Sequence, residues 1–190
     1  EALAVEKVNH QFMSVVNSFA AAVEGSGASQ VDSFNAALNS VVEVMKVNVT
    51  DNTTINFADQ ADLNLIKTQI LQDATNVSNA DLVALNNMVD STTTAILNVN
   101  GKIDLVTDIG SASAKNVFST AQVLTVQVKN GVAAEVTAAG TGTIDFTELS
   151  QVDAAVANTA PTDIILSENT FNELSGSLLV GTLSTTDTDQ

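Results

Sequence analysis

Val8, Phe12, Val15, Phe19 and Val23 fall three or four residues apart, and this spacing constrains the chain more than any other feature. Residues so spaced share one face of a helix with about 3.6 residues per turn, whereas a strand would scatter them over both faces. Gly25-Ser26-Gly27 cuts the stripe, because glycine marks a helix end more strongly than it tolerates a helix interior. Ser29 then offers an N-cap with Asp32 three residues on, a capping box with Asp in the place of Glu. Val31, Phe34, Leu38, Val41 and Met45 carry a second stripe, and Leu63, Ile66, Ile70 and Ala74 a third. Ser78 with Asp81 opens a fourth, lined by Leu82, Leu85, Val89 and Ile96. Val117, Ala121, Leu124 and Val128 give a fifth, although Leu124 to Val128 also alternates as a strand would. Phe146, Leu149, Val152 and Val156 make a short last helix. The fold class that follows is mainly α: a helical bundle or repeat domain over residues 1–157.

Composition narrows what such a bundle could do. The formal charge is −16, from 22 acidic residues against six basic ones, and all six bases are lysines. There is no Arg, Cys, Trp or Tyr, and His10 is the single histidine. Without cysteine there is no disulfide framework, thiol nucleophile or zinc ribbon, and one histidine cannot build a multi-histidine metal site. Six lysines and no arginine do not make a phosphate-tracking surface, so nucleic acid is not expected as a partner, nor is an anionic membrane. The most apolar stretch, Val8 to Val23, is broken by Asn9, His10, Gln11, Ser14, Asn17 and Ser18 and falls short of a membrane span. The chain opens at Glu1 without an initiator Met, a basic leader region or a signal-peptide core, and is expected to be an internal or processed piece of something longer.

A weak internal repeat runs through the connectors. Thr54-Ile55-Asn56-Phe57-Ala58-Asp59 resembles Lys102-Ile103-Asp104-Leu105-Val106-Thr107, and both resemble Thr143-Ile144-Asp145-Phe146-Thr147-Glu148. In the simpler reading the Asn or Asp is an N-cap and the Ile before it is a buried extended residue, giving repeated helix–connector–helix units. In the sharper reading the third copy is the second half of an EF-hand loop, with Gly142 as the turn glycine and Asp145 and Glu148 as weak candidate calcium ligands. Its first half departs from the pattern, since Thr137, Ala139 and Thr141 stand where carboxylates or amides belong. The first copy, with Asn48, Thr50 and Asn52 closing on Asp59, lacks the glycine, and the remaining copy would place Ile96 at the first ligand.

At Ala157-Asn158-Thr159-Ala160-Pro161 the texture changes. The chain's one proline makes a linker-like bend; Ile164 and Leu166 then share a strand face, and Val180 and Leu183 lie in a second strand beyond Ser175-Gly176-Ser177. This tail holds five acids and no base, a charge of −5, against 17 acids and six lysines, −11, in the part before it. The run Asn158-Thr-Ala-Pro161-Thr-Asp-Ile164-Ile-Leu166-Ser, followed by Glu173, Gly176, Val180-Gly181-Thr-Leu183 and Asp187-Thr-Asp189, resembles the opening of a cadherin-like repeat of large bacterial surface and secreted adhesins. The resemblance covers residues 158–190 and implies the first strands of a β-sandwich of about seven strands. It also implies calcium as cofactor at a domain junction, with Glu173, Asp187 and Asp189 as ligands and Asn158 in the linker; Val156 stands where that family's linker acid belongs. Two strands alone are marginal in water, so the tail needs either the rest of its domain or a strand from another subunit.

The functional expectation is a structural and adhesive segment of an extracellular bacterial surface protein, rigidified by calcium, that attaches to cell-surface or matrix components, to neighbouring repeats or to itself. The alternative is a subunit of a surface layer or extracellular filament that uses strand complementation. A glycan-acting enzyme module is a third reading: carboxylate pairs abound, but sugar sites are usually floored by Trp or Tyr, which the chain lacks. No catalytic residue is assigned. Three glycosylation sequons, at Asn48, Asn52 and Asn76, are what an Asn- and Thr-rich chain produces by chance. His10 is expected at or near the surface of the first helix.

Overall fold

The computed structural model describes residues 2–137, 163–166 and 183–186. Five helices follow one another: α1 (Ala2–Gly25), α2 (Gln30–Thr50), α3 (Gln60–Ala74), α4 (Leu82–Asp104) and α5 (Ala112–Thr137). The first four close a ring in which α1 packs on α2, α2 on α3, α3 on α4, and α4 back on α1; α5 lies against α1 and α4. Cross-helix contacts give the directions. Lys7 and Gln11 of α1 meet Asp104 and Asn100 of α4, so these two run antiparallel. His10 stacks on Phe118 and Glu24 pairs with Lys129, so α5 runs parallel to α1. The result is an up-down-up-down bundle with a fifth helix along one side.

Each helix end has a local cause. Gly25 ends α1, and Gly27 follows at φ +110, a conformation that side chains rarely adopt. A Cβ on Gly25 would lie 2.4 Å from the Lys129 carbonyl oxygen, so glycine also lets α1 and α5 cross in close contact. The capping box at α2 forms as the sequence predicts: the Asp32 amide donates to Ser29 Oγ at 3.1 Å and Ser29 Oγ donates to the Asp32 carboxylate at 2.8 Å. Asn52, at φ 56, turns the chain out of α2, and the Thr53 amide donates back to the Asn48 carbonyl.

Two capping expectations move by one turn. Helix α4 is capped by Asp81, whose carboxylate accepts from the Val83 and Ala84 amides, and Ser78 lies outside the helix. Helix α3 is capped by Asp59; Asn56, expected to be the cap, instead accepts from the Ala58 amide in an Asx turn ahead of it. A two-atom carboxylate close to the first turn outcompetes the more distant amide or hydroxyl for the orphan N–H groups. The first two copies of the connector repeat likewise take different structures, and the third lies outside the described residues. Residues 54–59 lead into α3, whereas Lys102, Ile103 and Asp104 are the last turn of α4 and Ile103 is fully buried there.

The core is one continuous cluster. It takes Val15, Phe19 and Val23 from α1; Leu63, Ile66 and Ile70 from α3; Leu85, Val89, Ile96 and Ile103 from α4; and Leu124, Val128 and Val132 from α5. The first, third, fourth and fifth stripes thus face inward, apart from Val8 and Leu82 at their exposed starts. α5 is helical over the segment that also alternates like a strand. Hydroxyls inside the core largely bond to their own helix: Ser33, Thr92, Thr93 and Thr120 each donate to the carbonyl four residues back. They therefore fill space much as Ala and Val would.

The second stripe is the exception. α2 buries Ser33, Ala36, Ala37, Ser40, Val41 and Val44, while Val31 is 69% and Phe34 37% exposed. Of the predicted stripe only Val41 is fully buried, with Leu38 and Met45 packed against the core from its edge. Small side chains on the inward arc let α2 approach α1 and α3 closely, and Ser40 adds a 2.6 Å bond to Asp73 of α3. The larger apolar residues are left on the outer arc.

Beyond the helices, β1 (Asp163–Leu166) and β2 (Leu183–Thr186) pair antiparallel, with Ile164 opposite Thr185 and Leu166 opposite Leu183. The short last helix expected near Phe146 to Val156, Val180, and the remainder of the cadherin-like tail lie outside the described residues.

Candidate functional site

The calcium ligands that the resemblance implies, Asn158, Glu173, Asp187 and Asp189, and the weak pair Asp145 and Glu148, all lie outside the described residues. Among the described residues no group of three or more His, Asp or Glu side chains is placed to hold a metal ion. The first EF-hand-like copy is otherwise engaged. Asn48 and Thr50 belong to α2, Thr50 donating to the Lys46 carbonyl and Asn48 accepting from Thr53, while Asp59 caps α3. Ile96, at the first ligand position of the other copy, is fully buried. No described helix is long and apolar enough to cross a membrane.

Polar groups are instead concentrated where they hold the bundle together. Asn100 of α4 is fully buried, and its Nδ2 donates to the Phe57 carbonyl at 2.7 Å and to the Gln11 carbonyl at 3.4 Å. Gln11 returns the contact, its Nε2 donating to the Asn100 carbonyl at 3.1 Å and to Asp104 Oδ1 at 2.8 Å. Phe57 packs edge-on against Phe12 at 5.8 Å. One asparagine thereby ties α1, α4 and the α2–α3 connector to one another. Nothing in the local sequence marks this residue, because its partners lie 43 and 89 positions away.

Two surface features remain. One is a groove between α1 and α5, where His10 stacks on Phe118 with ring centroids 3.8 Å apart and Met13, Asn17, Lys115 and Gln122 complete the lining. His10 also meets Glu6 at 3.2 Å, so it is held between a carboxylate and a ring at the expected partly exposed position. The other is the outer face of α2. Val31, Phe34, Leu38, Val42, Met45 and Val49 follow one another at spacings of three or four, and at 100° per residue they occupy an arc about 80° wide. Val49 is 77% exposed, and Val42, Met45 and Val49 line a shallow apolar depression beside Lys46. The stripe expected from the sequence shares Val31, Phe34, Leu38 and Met45 with this face but takes Val41 in place of Val42 and stops short of Val49. The signal for the difference is the spacing of four from Leu38 to Val42 and from Met45 to Val49.

No family model, curated protein or solved structure matches the chain.

Proposed function

We propose that this chain is a non-catalytic, self-associating segment of an extracellular bacterial surface protein, serving attachment or assembly. The observation that carries the reading is the outer face of α2: the helix turns its small residues inward and leaves Val31, Phe34 and Val49 in solvent. A contiguous apolar stripe on a highly acidic surface is costly to leave uncovered and is what an association face looks like. The cadherin-like tail supplies the context of large exported adhesins, and with it calcium at Glu173, Asp187 and Asp189. The antiparallel β1–β2 ladder favours a second form of the same reading, in which the strands extend a sheet in a neighbouring copy of a surface layer or filament. Sedimentation velocity of the chain over a concentration series, with calcium and with chelator, tests both parts. Mass growing with concentration is expected, together with a higher melting temperature in calcium. A chain that stays monomeric at millimolar concentration refutes self-association, and identical melting with and without calcium refutes the metal.

A further inference from the structure

From the stripe on α2 we infer that the partner is a second copy of this chain, docked with its own α2 antiparallel across a twofold axis. The inference rests on the reading of the chain as self-associating and names the surface and its geometry. From Val31 to Val49 the stripe is roughly 27 Å long at about 1.5 Å per residue, and its midpoint falls at residue 40. Under a twofold axis at that point, Val31 of one copy meets Val49 of the other and Leu38 meets Val42. Phe34 then falls beside Met45 of the second copy. Each large residue is matched to another apolar residue, as a self-complementary interface requires.

Charge selects the direction. α2 carries only Asp32, Glu43 and Lys46, so it presents little net repulsion to a second copy of itself on a chain of charge −16. Asp32 and Lys46 lie on the same flank of the stripe, near its opposite ends. A twofold axis perpendicular to the helices keeps that flank on the same side in both copies. It brings each Lys46 to within about 3 Å, measured along the helix axis, of the level of the other copy's Asp32. A parallel pair would set the charged flank of each helix against the uncharged flank of the other and form neither ion pair. Lys46 is free to make the exchange, since its bond to Glu43, at 2.8 Å, joins side chains that are 64% and 52% exposed. Such exposed pairs fix orientation more than affinity.

The size of the face sets the strength. A stripe of this length on a helix about 10 Å across offers at most roughly 300 Å² per copy, since Leu38, Val42 and Met45 are part-buried on their own bundle, and this is well under the approximately 800 Å² per partner of a standard stable interface. The dimer is therefore a weak, concentration-dependent contact that gains from many copies held on one surface.

The absence of cysteine gives a direct test on the full chain. V31C and V49C are made separately; both positions are well exposed, and circular dichroism verifies folding. Mixed under mild oxidation, they are expected to give a V31C–V49C heterodisulfide in large excess over either homodimer. In parallel, the V31E/V49E double variant is expected to weaken self-association at least tenfold by sedimentation. V31C linking efficiently to itself would overturn the antiparallel geometry. If the unaltered chain self-associates and V31E/V49E does so equally well, the α2 face is refuted while the self-association reading stands. If the unaltered chain does not self-associate, both fall together.

Discussion

Asn100→Ala probes the polar pin in the middle of the bundle, and the structure lets its cost be worked out. Truncation takes from the buried Phe57 carbonyl a donor at 2.7 Å. An acceptor left unsatisfied in the interior costs about 1–3 kcal/mol. The second donation, to Gln11 at 3.4 Å, is long and adds little. One gain opposes these losses: Asn100 Oδ1 is buried without a hydrogen-bond partner, and removing it relieves a penalty of about 1 kcal/mol. The net expectation is a loss of up to about 2 kcal/mol, or a fall in melting temperature of up to about 8 °C for a chain of this size. Gln11→Ala should cost about 1 kcal/mol, because the exposed Asp104 carboxylate that it leaves is re-solvated. The double variant should show a coupling of at least about 0.5 kcal/mol, since the two side chains share one network. Without Trp or Tyr there is no useful intrinsic fluorescence, so the measurement is urea unfolding followed by far-UV circular dichroism. An Asn100→Ala variant more stable than its parent, or strict additivity in the double variant, would show that the network does not hold the bundle.

Further outcomes follow from the same structure. Gly25→Ala should destabilise by about 1–3 kcal/mol, because its Cβ would meet the Lys129 backbone oxygen at 2.4 Å, and a backbone atom cannot rotate away. Gly101→Ala, within α4 and with nothing within 4 Å of its Cβ, should stabilise by about 0.5–1 kcal/mol; chemical denaturation of the pair compares them directly. Asp81→Ala should cost about 1 kcal/mol through loss of the α4 cap, while Ser78→Ala should stay within about 0.5 kcal/mol, and thermal melts reversing that order would contradict the cap placement.

How far the sequence could be read depends on the range of the interaction concerned. Ser29 and Asp32 cap α2 as their spacing predicts because both bonds close within one turn, where no distant residue competes. Asn56 misleads because a carboxylate at Asp59, equally visible, lies closer to the amides that need it. Asn100 is silent in the sequence, since a buried amide acquires its role only from the Phe57 and Gln11 carbonyls that the fold brings to it. The calcium ligands expected in the tail are legible only through resemblance and lie outside the described residues.

Periodicity alone marks the helices α1 to α4, the stop of α1 at Gly25, and the apolar faces of α1, α3, α4 and α5 that turn inward, while Leu124 to Val128 of α5 alternates like a strand as well. α1, α3, α4 and α5 each carry a single dominant apolar arc, and burying it is the largest favourable term available. α2 carries two candidate arcs, one small and one bulky, and periodicity cannot rank them. The folded bundle ranks them, because close packing on α1 and α3 selects the arc that fits the available space, whatever its hydrophobicity. Val31, Phe34 and Val49 of the bulky arc were left exposed, where the proposed partner would cover them.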